Sequence, residues 1–308
     1  MEIALQFGLL ALGFVMLGKG ADWFVEGAAG IAMRFGIPQL VIGLTIVAMG
    51  TSAPEAAVSI AAAVKGNADI TIGNIVGSNI LNILVILGLA ASIVPIAVAR
   101  STVRIEIPFM IGVTALLFYQ GRDGSISLAD GGVLMVAFAA YMMYLYTMAM
   151  KSNVDSDLEE PGLPLGRCLL GAVGGLALII AGSNVTVGAA TSIATYAGLS
   201  ERFIGLTIVA LGTSLPELFT SVAAARRGNA DIAIGNIVGS NIFNILFVVG
   251  LSSLIIDIPF ASAFNFDTYV ALGAAVLLWL CVLRTQRLQR WAGALMLVCY
   301  AAYLGYIL

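Results

Sequence analysis

Histidine is absent from all 308 residues and cysteine occurs three times. Without histidine there is no imidazole metal site, no His-based catalysis and no His proton relay. Cys168, Cys281 and Cys299 are too few and too apolar in context for a disulfide framework; they read as packing residues. Charge is also scarce. Only 10% of the residues are charged, against roughly 25% in soluble domains. The 14 basic and 17 acidic side chains leave a net charge of −3, which lacks the basic excess that nucleic-acid binding needs. No cofactor and no obligate protein partner are expected. What remains is apolar: 60% hydrophobic residues and a mean hydropathy of +1.04. That is the composition of an all-α polytopic membrane protein, whose partner is the lipid bilayer and whose spans need roughly 20 apolar residues each. The first apolar segment runs on into "GKGADWFVEGAAG" with no small-residue cleavage site, so no cleavable signal peptide is expected.

The chain repeats itself. Residues 42–89 and 204–251 align at a constant offset of 162, with 35 of 48 positions identical. The repeat predicts two homologous halves, 1–150 and 165–308, joined by a polar linker at 151–164, "KSNVDSDLEEPGLP". Each half divides into five apolar segments. They lie near 3–33, 38–64, 70–94, 103–120 and 128–150, then near 165–197, 201–225, 232–256, 266–284 and 288–307. Five crossings leave the chain on the far side, so the second half enters the bilayer inverted. Basic residues assign the sides. Arg34, Arg100, Arg104, Lys151, Arg167, Arg226, Arg227, Arg284, Arg287 and Arg290 share the linker side, while Lys65, Arg122 and Arg202 face the other. That bias places the linker in the cytoplasm and both termini outside a cell membrane. Inverted repeats of this kind belong to secondary transporters, which bind substrate near the midplane where the repeats meet.

Two copies of one motif stand at that depth: "GTSAPE" (50–55) with "GNIVGSNILN" (73–82), and "GTSLPE" (212–217) with "GNIVGSNIFN" (235–244). Pro54 and Pro216 lack an N–H, so the carbonyls of Gly50 and Gly212 lose their helical partners. In lipid something must satisfy them, and a desolvated cation is one candidate. Thr51, Ser52 and Glu55 fall on one helical face at i,i+3 and i,i+4, as do Thr213, Ser214 and Glu217. Ser78 with Asn82, and Ser240 with Asn244, are i,i+4 pairs. All are hard oxygen donors, which suit Ca2+ with its six to eight oxygens and, by the same argument, Na+. Intramembrane acids are functional by default. If symmetry brings Glu55 to Glu217, the two cannot both stay ionised unpaired. Ca2+, Na+ or protons would neutralise them and so compete for one site, which is what exchange requires. A passive cation channel has the same features. An enzyme is disfavoured, with no histidine and no evident Ser–Lys dyad. Asn74, Asn79, Asn236 and Asn241 are read as bonding across helices, Asp69 and Asp231 as helix N-caps. Asp22 and Glu26 face Asn184 and Gly188 in the repeat, so these acids are not duplicated; a helix-end or pathway-mouth role is expected.

The paired segments resemble the α-repeats of the cation/Ca2+ antiporter superfamily, and most of all its compact prokaryotic Na+/Ca2+ exchangers. The resemblance spans essentially the whole chain. It implies ten transmembrane helices in two inverted five-helix repeats, with helices 2, 3, 7 and 8 broken around a midplane ion site and helices 1 and 6 sliding past them. It implies that Glu55 and Glu217 bind Ca2+ and Na+, with the carbonyls of Thr51 and Thr213 joining for Ca2+. Ser52, Ser78, Ser214 and Ser240, with the carbonyls of Ala48 and Ala210, would form flanking Na+ sites, and Asn82 and Asn244 would face the centre. The implied activity is electrogenic exchange, usually of three Na+ for one Ca2+, with H+/Ca2+ exchange through the same glutamates as the alternative. Some relatives, including a K+-dependent branch, carry aspartate where this chain has Asn244, so K+ co-transport is not expected.

Overall fold

A computed structural model describes residues 2–66, 68–152, 163–198 and 210–307. The described residues form helices α1 (Glu2–Phe35), α2 (Gln39–Thr51), α3 (Ala53–Val64), α4 (Ile70–Ile93), α5 (Thr102–Asp123), α6 (Leu128–Ser152), α7 (Leu165–Tyr196), α8 (Ala210–Thr213), α9 (Leu215–Arg226), α10 (Ala230–Ile255), α11 (Ala263–Val282) and α12 (Arg290–Ile307). Eight of these are each long and apolar enough to cross a membrane, and the bent pair α2–α3 makes a ninth candidate span. The segment expected at 201–225 begins outside the described residues, as does most of the linker expected at 151–164; α6 itself runs to Ser152.

Breaks between helices follow local chemistry. α1, α7, α3 and α9 are each followed by a glycine at positive φ: Gly36 at 61°, Gly198 at 79°, Gly66 at 78° and Gly228 at 80°. A left-handed residue costs glycine little and lets the next N–H turn back onto the last carbonyls, as Ile37 N–H does to Ala32 O at 2.9 Å and Asn229 N–H to Ala224 O at 2.9 Å. Gly36 and Gly198, like Gly66 and Gly228, are 162 apart.

Four two-residue strands report how the halves meet. β1 (Ile96–Ala97) pairs antiparallel with β4 (Arg287–Leu288), and β2 (Ser125–Ile126) with β3 (Ile258–Pro259). β3 lies 162 residues after β1, and β4 lies 162 after β2. The two pairings therefore exchange under the repeat offset, with Ile96 opposite Leu288 and Ile126 opposite Ile258. Because α5 separates β1 from β2, the two sheets mark opposite ends of the bundle. The β1–β4 sheet shares the end where α6 finishes and α7 begins, here termed the linker end.

Burial separates core from periphery. The most apolar window of α10 is 94% buried and that of α4 78%, against 17% in α1, α6 and α12. The outer helices turn Leu5, Phe7, Leu12, Val136 and Val298 outward, as a lipid-facing belt requires. α1 and α7 pack on each other through glycine. A Cβ added at Gly20 would come within 2.9 Å of Gly175 O, and one at Gly175 within 2.7 Å of Gly20 O. Small residues let membrane helices approach this closely.

Candidate cation site

The Gly-Thr-Ser-x-Pro-Glu part of each motif lies where the helix is interrupted. α2 and α3 meet at Ser52 with a bend of 51°. Ser52 (φ −82°, ψ 6°) and Ser214 (φ −90°, ψ 4°) leave the helical well in the same way. Each following helix carries its proline in the first turn, where no N–H is needed. The glutamate thus follows the break directly. The expected breaks in helices 3 and 8 take a milder form. α4 and α10 run through without interruption, with π-helical turns at Asn82–Leu87 and Asn244–Val249. Neither carries a proline there, so the backbone widens instead of breaking, and in each case the turn opens on the asparagine assigned to the centre. π-turns of this kind are frequent at functional sites.

Hydrogen bonds knit the two halves reciprocally. Ser52 Oγ donates to Glu217 Oε1 at 2.8 Å, and Ser214 Oγ donates to Glu55 Oε1 at 3.3 Å. Asn82 Nδ2 donates to Asn241 Oδ1 at 2.9 Å, and Asn244 Nδ2 to Asn79 Oδ1 at 3.1 Å. Asn79 Nδ2 reaches Asn241 O at 3.2 Å, and Asn241 Nδ2 reaches Asn79 O at 3.3 Å. Each of these pairs maps onto the other under the 162-residue offset. Ser240 Oγ donates to Ala48 O at 3.4 Å, and Thr51 Oγ1 to Asn236 Oδ1 at 2.9 Å. Ser78 is buried one turn before Asn82. Thr213 ends α8, which is described from Ala210 on.

These bonds consume the donors and leave four acceptors over. Glu55, Glu217, Asn82 and Asn244 are each only 1% exposed. Glu55 Oε2, Glu217 Oε2, Asn82 Oδ1 and Asn244 Oδ1 have no hydrogen-bond partner. Buried polar atoms are rarely left so; of the eleven such side-chain atoms among the described residues, Glu106 Oε2 included, these four are two carboxylate and two amide oxygens from symmetry-related residues of the motifs. The amide assignment follows from the network: with both Nδ2 groups engaged, both Oδ1 atoms are free. Among the described residues no group of three or more acids gathers, so the centre carries a formal charge of −2 only with both glutamates ionised. Four hard oxygens with that charge match a desolvated Ca2+, with further oxygens from the threonine and serine set.

Several residues act behind this centre. Asn74 Nδ2 bonds Ser59 Oγ at 2.9 Å and Glu55 O at 3.3 Å; Asn236 Nδ2 bonds Ser221 Oγ at 2.9 Å and Glu217 O at 3.4 Å. The asparagines read as cross-helix braces are that, and Ser59 and Ser221 were passed over although they stand at i+4 from each glutamate. The carbonyl freed by Pro216 is not left for a cation: Ser183 Oγ of α7 donates to Gly212 O at 2.7 Å. Neither acid is the expected N-cap: Asp231 lies in the first turn of α10, whose N-cap position is Asn229 with no side-chain capping bond, and Asp69, at the start of the helical run that continues as α4, follows the N-cap position Ala68. A third buried acid, Glu106 of α5, lies on a different helix from the motifs and accepts from Tyr144 OH. Its sequence context, "RIEIPF", lacks the motif that drew attention to Glu55. Asp22 and Glu26 are engaged by Arg227.

The chain matches the family model for the sodium/calcium exchanger protein over residues 5–147 and 168–308. It is 40% identical over 303 residues to the putative antiporter CaxA of Alkalimonas amylolytica, covering 95% of each chain. It is 33% identical to the sodium/calcium exchanger MaX1 of Methanosarcina acetivorans, covering 98% of each. Its fold superposes on a solved structure of the sodium-calcium exchanger NCX_Mj with a TM-score of 0.87 at 34% identity, over 99% of this chain and 100% of that one. The duplicated motif and the bend between α2 and α3 thus coincide with family-wide similarity along nearly the whole length: the chain is a multi-pass membrane transporter belonging to the sodium/calcium exchanger family.

Proposed function

We propose that this protein exchanges Na+ for Ca2+ across the cell membrane by alternating access, through one centre built on Glu55 and Glu217. The observation that carries this is the set of four buried, unpartnered oxygens on Glu55, Glu217, Asn82 and Asn244. One Ca2+ neutralises their charge of −2 outright. Two Na+ do the same, so the two cargoes exclude each other. The carbonyls of Thr51 and Thr213 complete the Ca2+ shell. Ser52, Ser78, Ser214 and Ser240, with the carbonyls of Ala48 and Ala210, hold the flanking Na+. A third Na+ leaves a surplus positive charge and therefore sits apart from the carboxylates. Exchange of three Na+ for one Ca2+ is electrogenic, and Asn244 in place of an acid makes it independent of K+. Residues 1–150 and 165–308 are two inverted five-helix repeats, ten spans in all. The linker 151–164 faces the cytoplasm and both termini face outward, as the ten-to-three bias of basic residues supports.

The test is Ca2+ uptake into vesicles containing the purified protein, with Na+, H+ and K+ gradients imposed one at a time. Uptake driven by Na+ alone, accompanied by a membrane potential, is the expected result. Uptake driven by a pH gradient without Na+ would assign the protein to H+/Ca2+ exchange instead. Ca2+ flux with no counter-ion on the far side would identify a channel.

A further inference from the structure

The 162-residue repeat is broken at one charged cluster. Asp22 and Glu26 are i,i+4 neighbours on α1, so one face presents both carboxylates. Arg227, which directly follows α9, bridges them: Nε lies 3.1 Å from Asp22 Oδ1 and Nη1 lies 3.3 Å from Glu26 Oε2. A planar guanidinium can serve two carboxylates in this way. Under the repeat offset Arg227 corresponds to Lys65, Asp22 to Asn184 and Glu26 to Gly188. The basic residue is thus kept at the opposite end of the bundle, while both acids are lost. Among the described residues these are the two salt bridges, and both lie at the linker end.

Access to the centre differs at the two ends in the same sense. At the opposite end a cavity of about 710 Å³ is lined by Ser183, Asn184, Gly188, Pro54, Gly212 and Thr213. It therefore reaches the motif itself. At the linker end a cavity of about 520 Å³ is lined by Phe14, Lys19, Asp22, Phe219, Ala223 and Arg227 among others, and by no residue of either motif. Within its lining Phe14 and Phe219 lie with ring centroids 6.1 Å apart, and around the motif a Cβ added at Gly50 would meet Leu176 at 3.1 Å and Phe24 at 3.4 Å. Thr51 is accordingly fully buried, whereas its counterpart Thr213 borders the larger cavity.

We propose that Asp22, Glu26 and Arg227 are positioning residues that set the sidedness of the exchange. Their ion pairs tie α1 to the linker end of α9, the helix that carries Glu217, and close that face of the centre. At the opposite face, where the repeat offset sets Lys65 against Asn184 and Gly188, the described residues form no such salt bridge, and the cavity there reaches the motif. The proposal rests on the alternating-access exchange described above. The side chains of Arg227, Asp22 and Glu26 are 36%, 44% and 42% exposed, so the pairs are weak individually. Two of them bias the equilibrium between the two facing states by about twofold to thirtyfold, enough to make the two faces differ in affinity without locking either.

The test reads sidedness directly. Ala223→Cys places a thiol in the linker-end cavity and Ala57→Cys one in the opposite cavity, each in a background without the three native cysteines. Labelling by a membrane-impermeant thiol reagent is followed on the purified full-length protein in vesicles. Arg227→Gln is expected to raise labelling at position 223 severalfold, and to lower the Na+ and Ca2+ concentrations that half-saturate transport from the linker-end face. Asp22→Asn with Glu26→Gln should do the same, and all three changes together should do no more than either set. Conversely, Asn184→Asp with Gly188→Glu restores under the repeat offset the two acids that Arg227 meets, here for Lys65, and should slow labelling at position 57. Unchanged labelling in both charge-removing variants, or additive effects, overturns the latch. Labelling is read without any gradient, so the latch is judged separately from the activity. Wild-type protein that carries out no Na+-driven uptake would instead overturn the functional proposal.

Discussion

Replacing Glu55 by Gln removes one of the two charges at the centre while preserving size and the oxygen that accepts from Ser214. The ion then meets a site of charge −1, with an amide where a carboxylate stood. Breaking a buried charge pair on one side costs about 3–5 kcal/mol. At 1.4 kcal/mol per tenfold, Ca2+ affinity should fall by about a hundredfold to several thousandfold. Glu55 and Glu217 are equally buried and accept reciprocal serine bonds, so Glu217→Gln should cost the same within about threefold. Stability should move the other way. Without metal ions the wild type avoids two like charges in an apolar interior only by binding protons, which neither variant needs to the same extent, so either variant should melt higher than wild type in ion-free buffer, and the more so the higher the pH. Wild type should gain about 2.7 kcal/mol at a Ca2+ concentration a hundred times its Kd, and lose it to a chelator; the variants should gain no more than about 0.4 kcal/mol at that concentration. The assays are Ca2+-dependent exchange in vesicles and thermal unfolding with and without Ca2+. Folded variants whose half-saturating Ca2+ stays within threefold of wild type would refute the assignment of both glutamates.

Asn79→Ala and Asn241→Ala each remove the acceptor that orients an amide of the centre; Ca2+ affinity should fall about 10–100-fold, the usual cost of losing an orienting partner, with the fold intact by circular dichroism. Asn244→Asp raises the charge of the centre to −3, and should lower the half-saturating Na+ more than it lowers that of Ca2+ in the same transport assay. Ser183→Ala leaves Gly212 O without its hydroxyl partner and should destabilise the protein by about 1–3 kcal/mol, read by thermal unfolding. Tyr144→Phe removes the partner of Glu106 and should destabilise by a similar amount while leaving the half-saturating Ca2+ unchanged, since that pair lies outside the centre.

Much of this protein is legible in one dimension. The missing histidine and sparse charge reduce the available chemistry to hard oxygen ligation. The constant offset of 162 pairs Glu55 with Glu217 before any coordinate is known, because a duplicated membrane unit must satisfy the same backbone and charge constraints twice. Pro54 and Pro216 announce a break, since proline cannot donate within a helix. Sequence reasoning stopped where the answer depends on which residue of a distant helix comes into contact. That Ser183 takes the carbonyl of Gly212, while Ala21 stands at the equivalent position of α1, follows only from how α7 packs. The asparagine braces were legible as a type, but their reciprocal pairing was not. Hydrogen-bond direction decides which oxygens remain free, and direction is a property of the assembled network. Composition and duplication therefore determined the class of ligand and the two charges that meet it. Tertiary structure decided which oxygens of the two motifs are left without a partner, because that depends on side chains more than a hundred residues apart competing for the same few donors.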